Sequence, residues 1–166
     1  MRKLIYFALT AILSLSLTSC ESDPDDYIAY SLEGVWEGYT RTPYGERTYT
    51  TIEFYGDPYN ASIGATGSGI WLDDYRDGTW FRSRFRWKVT RENIEIYLLE
   101  NDEYDDRRNY LYIDRENYRL NGIEFTGTLE YLGGFRDFHF EKVSSFDWDR
   151  YPYSHSKKTM EGFSKE

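Results

Sequence analysis

Residues 81–89 read FRSRFRWKV, and the spacing of the rings within that stretch decides the fold. Counted in twos, Phe81, Ser83, Phe85, Trp87 and Val89 fall on one side, and Arg82, Arg84, Arg86 and Lys88 on the other. This is the alternation of a β-strand with one buried and one wet face. It also argues against a nucleic-acid platform, which needs rings and cations on the same face so that bases stack while phosphates are neutralised. Here the cations stand outside, where Glu95 on the next predicted strand offers a cross-strand partner.

The same texture runs from residue 32 to 143, with short alternating runs broken by Gly, Asn and Asp. No apolar pattern of period 3.6 persists long enough for a central helix, so the chain reads as all-β. Eight strands are predicted: 34–41, 47–55, 67–75, 81–89, 93–100, one near 109–114, 122–132 and 136–143. In the second, Thr50, Ile52 and Phe54 share a face; in the fifth, Ile94, Ile96 and Leu98. In the seventh, Ile123, Phe125, Leu129 and Tyr131 share a side around Gly127, and in the eighth Phe138 and Phe140 are in phase.

Eight consecutive antiparallel strands joined by short turns remove their own edges by closing into an up-and-down barrel. A two-sheet β-sandwich is the alternative. A barrel of eight is either filled by side chains or holds one small ligand. Phe54, Trp71, Phe81, Phe85, Trp87, Phe125 and Tyr131 are the candidate lining for a small apolar, aromatic or carbohydrate ligand, at the barrel mouth or its aromatic flank. Tyr39, Tyr97 and Tyr112 are expected on the outer face, where they would serve a filled barrel that docks on a partner protein.

The N-terminus gives a location. Arg2 and Lys3 precede an apolar run from Leu4 to Leu17, the pattern of a secretory signal spanning 1–19. Cys20, the one cysteine of the chain, follows Leu17, Thr18 and Ser19. This resembles a bacterial lipobox, which implies cleavage before Cys20 and its lipidation. Several acyl chains on one residue make a stable anchor, each buried methylene contributing roughly 0.8 kcal/mol. Glu21, Asp23, Asp25 and Asp26 then resemble the acidic export signal of Bacteroidota lipoproteins, implying the outer leaflet of the outer membrane and the cell surface. Residues 20–31 read as a flexible acidic tether and 144–166 as a polar C-terminal tail with at most one helical turn. Without Arg2 and Lys3, 18 basic residues face 29 acidic ones, a net charge of about −11. Such a polyanion repels DNA, RNA and anionic headgroups.

A family resemblance adds to this. LEGVWEG at 32–38 contains Gly34 and Trp36 in the G-x-W spacing that opens the lipocalin and calycin barrels. The resemblance implies that Trp36 closes the barrel base under a basic residue near the last strand, Lys142 here, with Arg136 as the substitute. With GSGIWLDDY, FRWKV, NIEIYLL, YLYIDRENYRL and FHFEKV in that order, residues 32–143 are similar to small lipocalin-like lipoproteins of Bacteroidota. The T-D-Y motif of the larger lipocalins is absent, so what the resemblance implies is a fold and a location.

The remaining motifs point to no chemistry. GATGSG at 64–69 lacks the Lys-Ser/Thr of a phosphate loop and opens a strand where that motif opens a helix; Gly67 and Gly69 are expected to let a strand bend. His139 and His155 have no cysteine or second histidine at ligand spacing, so no metal site is expected. The carboxylate groups Asp73, Asp74, Asp77 and Asp102, Glu103, Asp105, Asp106 suit calcium chemically but lack the spacing of its known loops. No nucleophile–base constellation can be assembled. The expectation is a binding protein, not an enzyme, with no cofactor.

Overall fold

Strands with one apolar face bury it most completely when the sheet rolls onto itself. In the computed structural model, which describes residues 23–42, 44–57, 65–99 and 110–153, that is what the chain does. Helix α1 (Pro24–Leu32) precedes β1 (Gly34–Arg41), β2 (Arg47–Gly56), β3 (Thr66–Asp74), β4 (Trp80–Thr90), β5 (Asn93–Leu98) and β6 (Tyr110–Ile113). A 3-10 turn (Arg115–Asn117) leads to β7 (Tyr118–Leu120), β8 (Glu124–Tyr131) and β9 (Gly134–Val143), and a second 3-10 turn covers Trp148–Arg150.

Strands β1 to β6 pair in chain order, β9 pairs with both β1 and β8, and every pairing is antiparallel. The ring closes where β6 meets β8 through Leu111 with Tyr131 and Tyr112 with Glu130. Strand β7 lies farther along β8, opposite Phe125 to Gly127. Thus β6 and β7 are two pieces of one position, and the architecture is a closed eight-stranded antiparallel barrel. The sandwich alternative is set aside by this single continuous ring.

Inward residues follow the predicted alternation. Phe81, Ser83, Phe85, Trp87 and Val89 on β4 are all buried, as are Ile94, Ile96 and Leu98 on β5. Phe125 on β8 sits at the centre of an aromatic cluster, 4.7 Å from Phe138, 5.9 Å from Trp36 and 5.9 Å from Tyr118 between ring centroids. Offset and edge-on pairs of this kind each add roughly 0.5–1.5 kcal/mol to the burial itself.

Three expectations change. Ile123 keeps the parity of Phe125 but lies in the turn before β8, past the barrel end, and is 75% exposed. The tether expected at 20–31 contains α1 instead: Asp23 caps it by accepting from the Asp25 amide, and Pro24 supplies the first-turn φ. Leu32 is fully buried, and Ile28 and Ala29 pack on the core, so an apolar stripe hidden in an acidic stretch draws the helix onto the barrel. Finally, residues 146–153 of the expected polar tail form a strap on the outer wall of β2, β3 and β4. The signal at 1–19, Cys20, His155, Asp102, Glu103, Asp105, Asp106 and residues 154–166 lie outside the described residues.

Candidate binding site

The seven candidate lining residues meet inside the barrel, but as its filling. Phe54, Trp71, Phe81, Phe85, Trp87, Phe125 and Tyr131 are each 5% exposed or less. A cavity wide enough for a ligand would leave accessible area on its walls, and these walls have almost none. Among the described residues, the interior leaves a cavity of about 10 Å³, beside Thr40, Trp71, Asp73, Tyr131 and Arg136. Room for one water is the most this offers. These seven residues therefore pack against one another, and the space beside them among the described residues is too small for a ligand.

The glycines of GATGSG explain part of the filling. A Cβ on Gly67 would stand 2.6 Å from the Trp87 indole, and one on Gly69 would collide with Phe85 and the Glu53 carbonyl. Their role is to leave room for the Trp87 and Phe85 rings of β4, more than to bend the strand. The Trp87 Nε1 then donates to the carbonyls of Tyr55 and Ser68, at 3.2 and 3.0 Å.

At the barrel base the structure brings Gly34, Trp36 and Lys142 together. Register pairs Trp36 with Lys142, whose Nζ lies 5.0 Å from the Trp36 ring centroid and 3.3 Å from the Ser31 carbonyl that accepts from it. Trp36 Nε1 donates to the Leu32 carbonyl at 2.7 Å, so one indole ties helix to barrel. Gly34 has φ +110° and passes within 3.0 Å of the Lys142 stem, measured from where a Cβ would stand. Arg136 does not take part; it is far along β9 near Asp73.

That other end holds a polar cluster which sequence reasoning missed. Asp73 points inward in phase with Trp71, not outward with Asp74 and Asp77, and is 1% exposed. Thr50 Oγ1 donates to Asp73 Oδ1 at 2.6 Å, and Thr40 lies 3.5 Å from Thr50. Burial pushes the Asp73 carboxyl up to about 6, against the hydrogen bond from Thr50 and the charge of Arg136. Burial equally lowers Arg136, to about 10. Asp74 and Asp77 instead cap turns, accepting from the amides of Arg76 and Thr79. No cluster of three metal-ligating side chains exists among the described residues, so these three aspartates do not form a calcium site. His139 stacks on Tyr39 at 5.7 Å, between Glu124 and Glu141 at 3.7 Å each.

The strap sits where β2, β3 and β4 present Thr51, Leu72 and Arg82 in one outward row. All three are buried despite facing out. Arg82 Nη1 donates to the carbonyls of Trp148 and Tyr151, at 3.0 and 2.7 Å, and its guanidinium lies 4.0 Å from the Tyr153 ring. Trp148 Nε1 donates to Glu53 Oε2 at 2.6 Å, and Tyr151 Oη to Asp74 Oδ2 at 3.1 Å.

The open concave surface is on the remaining outer wall. Two rows of outward residues cross β3 to β6: Ser68, Arg86, Tyr97, Tyr110, and beside it Thr66, Lys88, Glu95, Tyr112. Glu95 Oε2 joins the two rows, accepting from the Tyr97 and Tyr110 hydroxyls of the first at 3.0 and 3.1 Å and from Lys88 of its own row at 3.1 Å. The burial of the two phenols, reinforced by that carboxylate, raises both above the usual tyrosine range. A groove of about 680 Å³ runs along Gly56, Thr66, Ser68, Arg86, Lys88 and Tyr97. Arg86 is exposed, and no carboxylate among the described residues pairs with it.

No family model matches the chain, and no curated protein matches it. Among solved structures, a redesigned beta barrel is similar, with a TM-score of 0.47 and 12% identity over 70% of this chain and 95% of that one. The closed eight-stranded barrel is established by the chain's own strand pairing.

Proposed function

We propose that the protein is a lipid-anchored accessory module, held at the cell surface on the bacterial outer membrane, whose filled barrel docks on a partner protein through the outer wall of β3 to β6. It binds and does not catalyse. The observation that supports this reading is the contrast between a packed interior and the 680 Å³ outer groove with Arg86, which meets no carboxylate among the described residues. Tyrosine and arginine are the residues that most often anchor protein interfaces, and Tyr97 and Arg86 stand opposite each other on adjacent strands.

A photoreactive residue in place of exposed Ser68 tests it in cells. The expected result is one discrete cross-linked species, lost with Arg86→Glu and not formed from the same probe at Arg119. Absence of the species, or its indifference to Arg86→Glu, would overturn the docking surface. Cys20→Ala is expected to move the protein from the membrane to the soluble fraction, and protease added to intact cells to degrade the wild type.

The groove volume lies within the range of small-ligand sites, which favours carbohydrate as a second occupant of the same wall. Direct binding of a defined oligosaccharide, lost in Tyr97→Ala, would distinguish that reading from protein docking.

A further inference from the structure

We infer that the base of the barrel is a membrane seat, with Tyr27, Tyr30 and Ile123 resting in the interfacial zone of the bilayer that carries the anchor. This rests on the reading of Cys20 as the lipidated residue. The argument is one of reach. Helix α1 begins at Pro24 and is fixed to the barrel from its first turn, since the Asp25 carboxylate accepts from the amides of Arg91 and Glu92 at 2.9 and 2.6 Å. Trp36 and Lys142 hold the other end of the helix through the carbonyls of Leu32 and Ser31. The covalent path from Cys20 to Asp23 is three residues, at most about 11 Å at ~3.6 Å per residue. A lipid on Cys20 therefore keeps the start of helix α1, which lies on the barrel base, within about that distance of the headgroups.

The surface presented there suits such a seat. Tyr27 and Tyr30, three apart on one helix face, are 66% and 75% exposed, and Ile123 in the turn before β8 is 75% exposed. The two tyrosines line a shallow groove of about 340 Å³ with Ser31, Glu33, Gly122 and Lys142. Tyrosine places an apolar ring and a polar tip at the depth where a bilayer changes from one to the other. Acidic Asp26 and Glu33 share this end with basic Arg91 and Lys142, so charge alone selects no lipid, and a zwitterionic vesicle reads the apolar contact by itself.

The test uses acylated protein from its own host in phosphatidylcholine vesicles, with nitroxide labels on Tyr30→Cys, Ile123→Cys and, as reference, Tyr44→Cys. Tyr44 is 93% exposed in the turn at the far end of β1. The expected result is a ratio of oxygen to nickel-chelate collisions well above the Tyr44 value at both base positions. Equal ratios at all three positions, in protein that floats with the vesicles, would overturn the seat while leaving the anchor intact. Mass spectrometry finding Cys20 unacylated would overturn the anchor and the seat with it. The labelled sites are exposed, and an unchanged melting temperature establishes that each variant is folded.

Discussion

Asp73 carries an ionisable group into the barrel. Its carboxyl titrates near 3.8 in an unfolded chain and near 6 in the fold, because burial disfavours the charge. Between those values the folded state binds more protons, so this residue's contribution to stability grows as pH falls through 6 and is complete below about 4. The size is on the order of 3 kcal/mol, from about 1.4 kcal/mol per unit. Urea unfolding of wild type and Asp73→Asn at pH 7, 6, 5 and 4.5 is expected to show wild type gaining on the variant as pH drops, since the other carboxylates are common to both. A constant difference would mean that the Asp73 carboxyl titrates alike in the folded and unfolded chain, so that burial does not shift it. Its inward phase is legible in the sequence, two positions after Trp71. Its neighbours are not: Thr40, Thr50 and Arg136 come from three other strands, and only the ring brings them to it.

At the scale of elements, the strap and the helix are the two pieces that composition hid. Both are polar segments held by a few fixed contacts. For the strap, the clamp is Arg82, which joins two carbonyls and a tyrosine ring in one guanidinium. Charge-assisted hydrogen bonds contribute roughly 1.5–3 kcal/mol each in such settings. Arg82→Ala is therefore expected to lower stability by about 2–3 kcal/mol in chemical denaturation and to make the chain cleavable by trypsin after Arg150. Arg84→Ala, in the exposed position two residues on, is expected to change stability by no more than ~1 kcal/mol, the range of a solvent-exposed contact. Equal effects of the two would mean the strap is not clamped. In the sequence, Arg82 and Arg84 occupy equivalent outward positions of FRSRFRWKV, and nothing local separates them. What separates them is a segment more than sixty residues downstream.

For the whole molecule, the weakest seam is where the ring closes. Strands β3 and β4 share nine paired positions, whereas β6 and β8 share two. Native-state hydrogen exchange is expected to release the β6 amides first and those of the β3–β4 pair last, since local opening follows the least-paired elements. Uniform protection around the ring would show that closure is as firm as the hairpins. The sequence by itself determined the strand order, the inward and outward faces and which side chains form the core. Those are consequences of a period-two pattern, each strand declaring its buried side without knowledge of its neighbours. The tertiary structure decided how full the interior is, which outward cations are covered, and that Asp73 meets Arg136. These depend on volumes and distances between segments far apart in the chain, and a one-dimensional pattern contains neither.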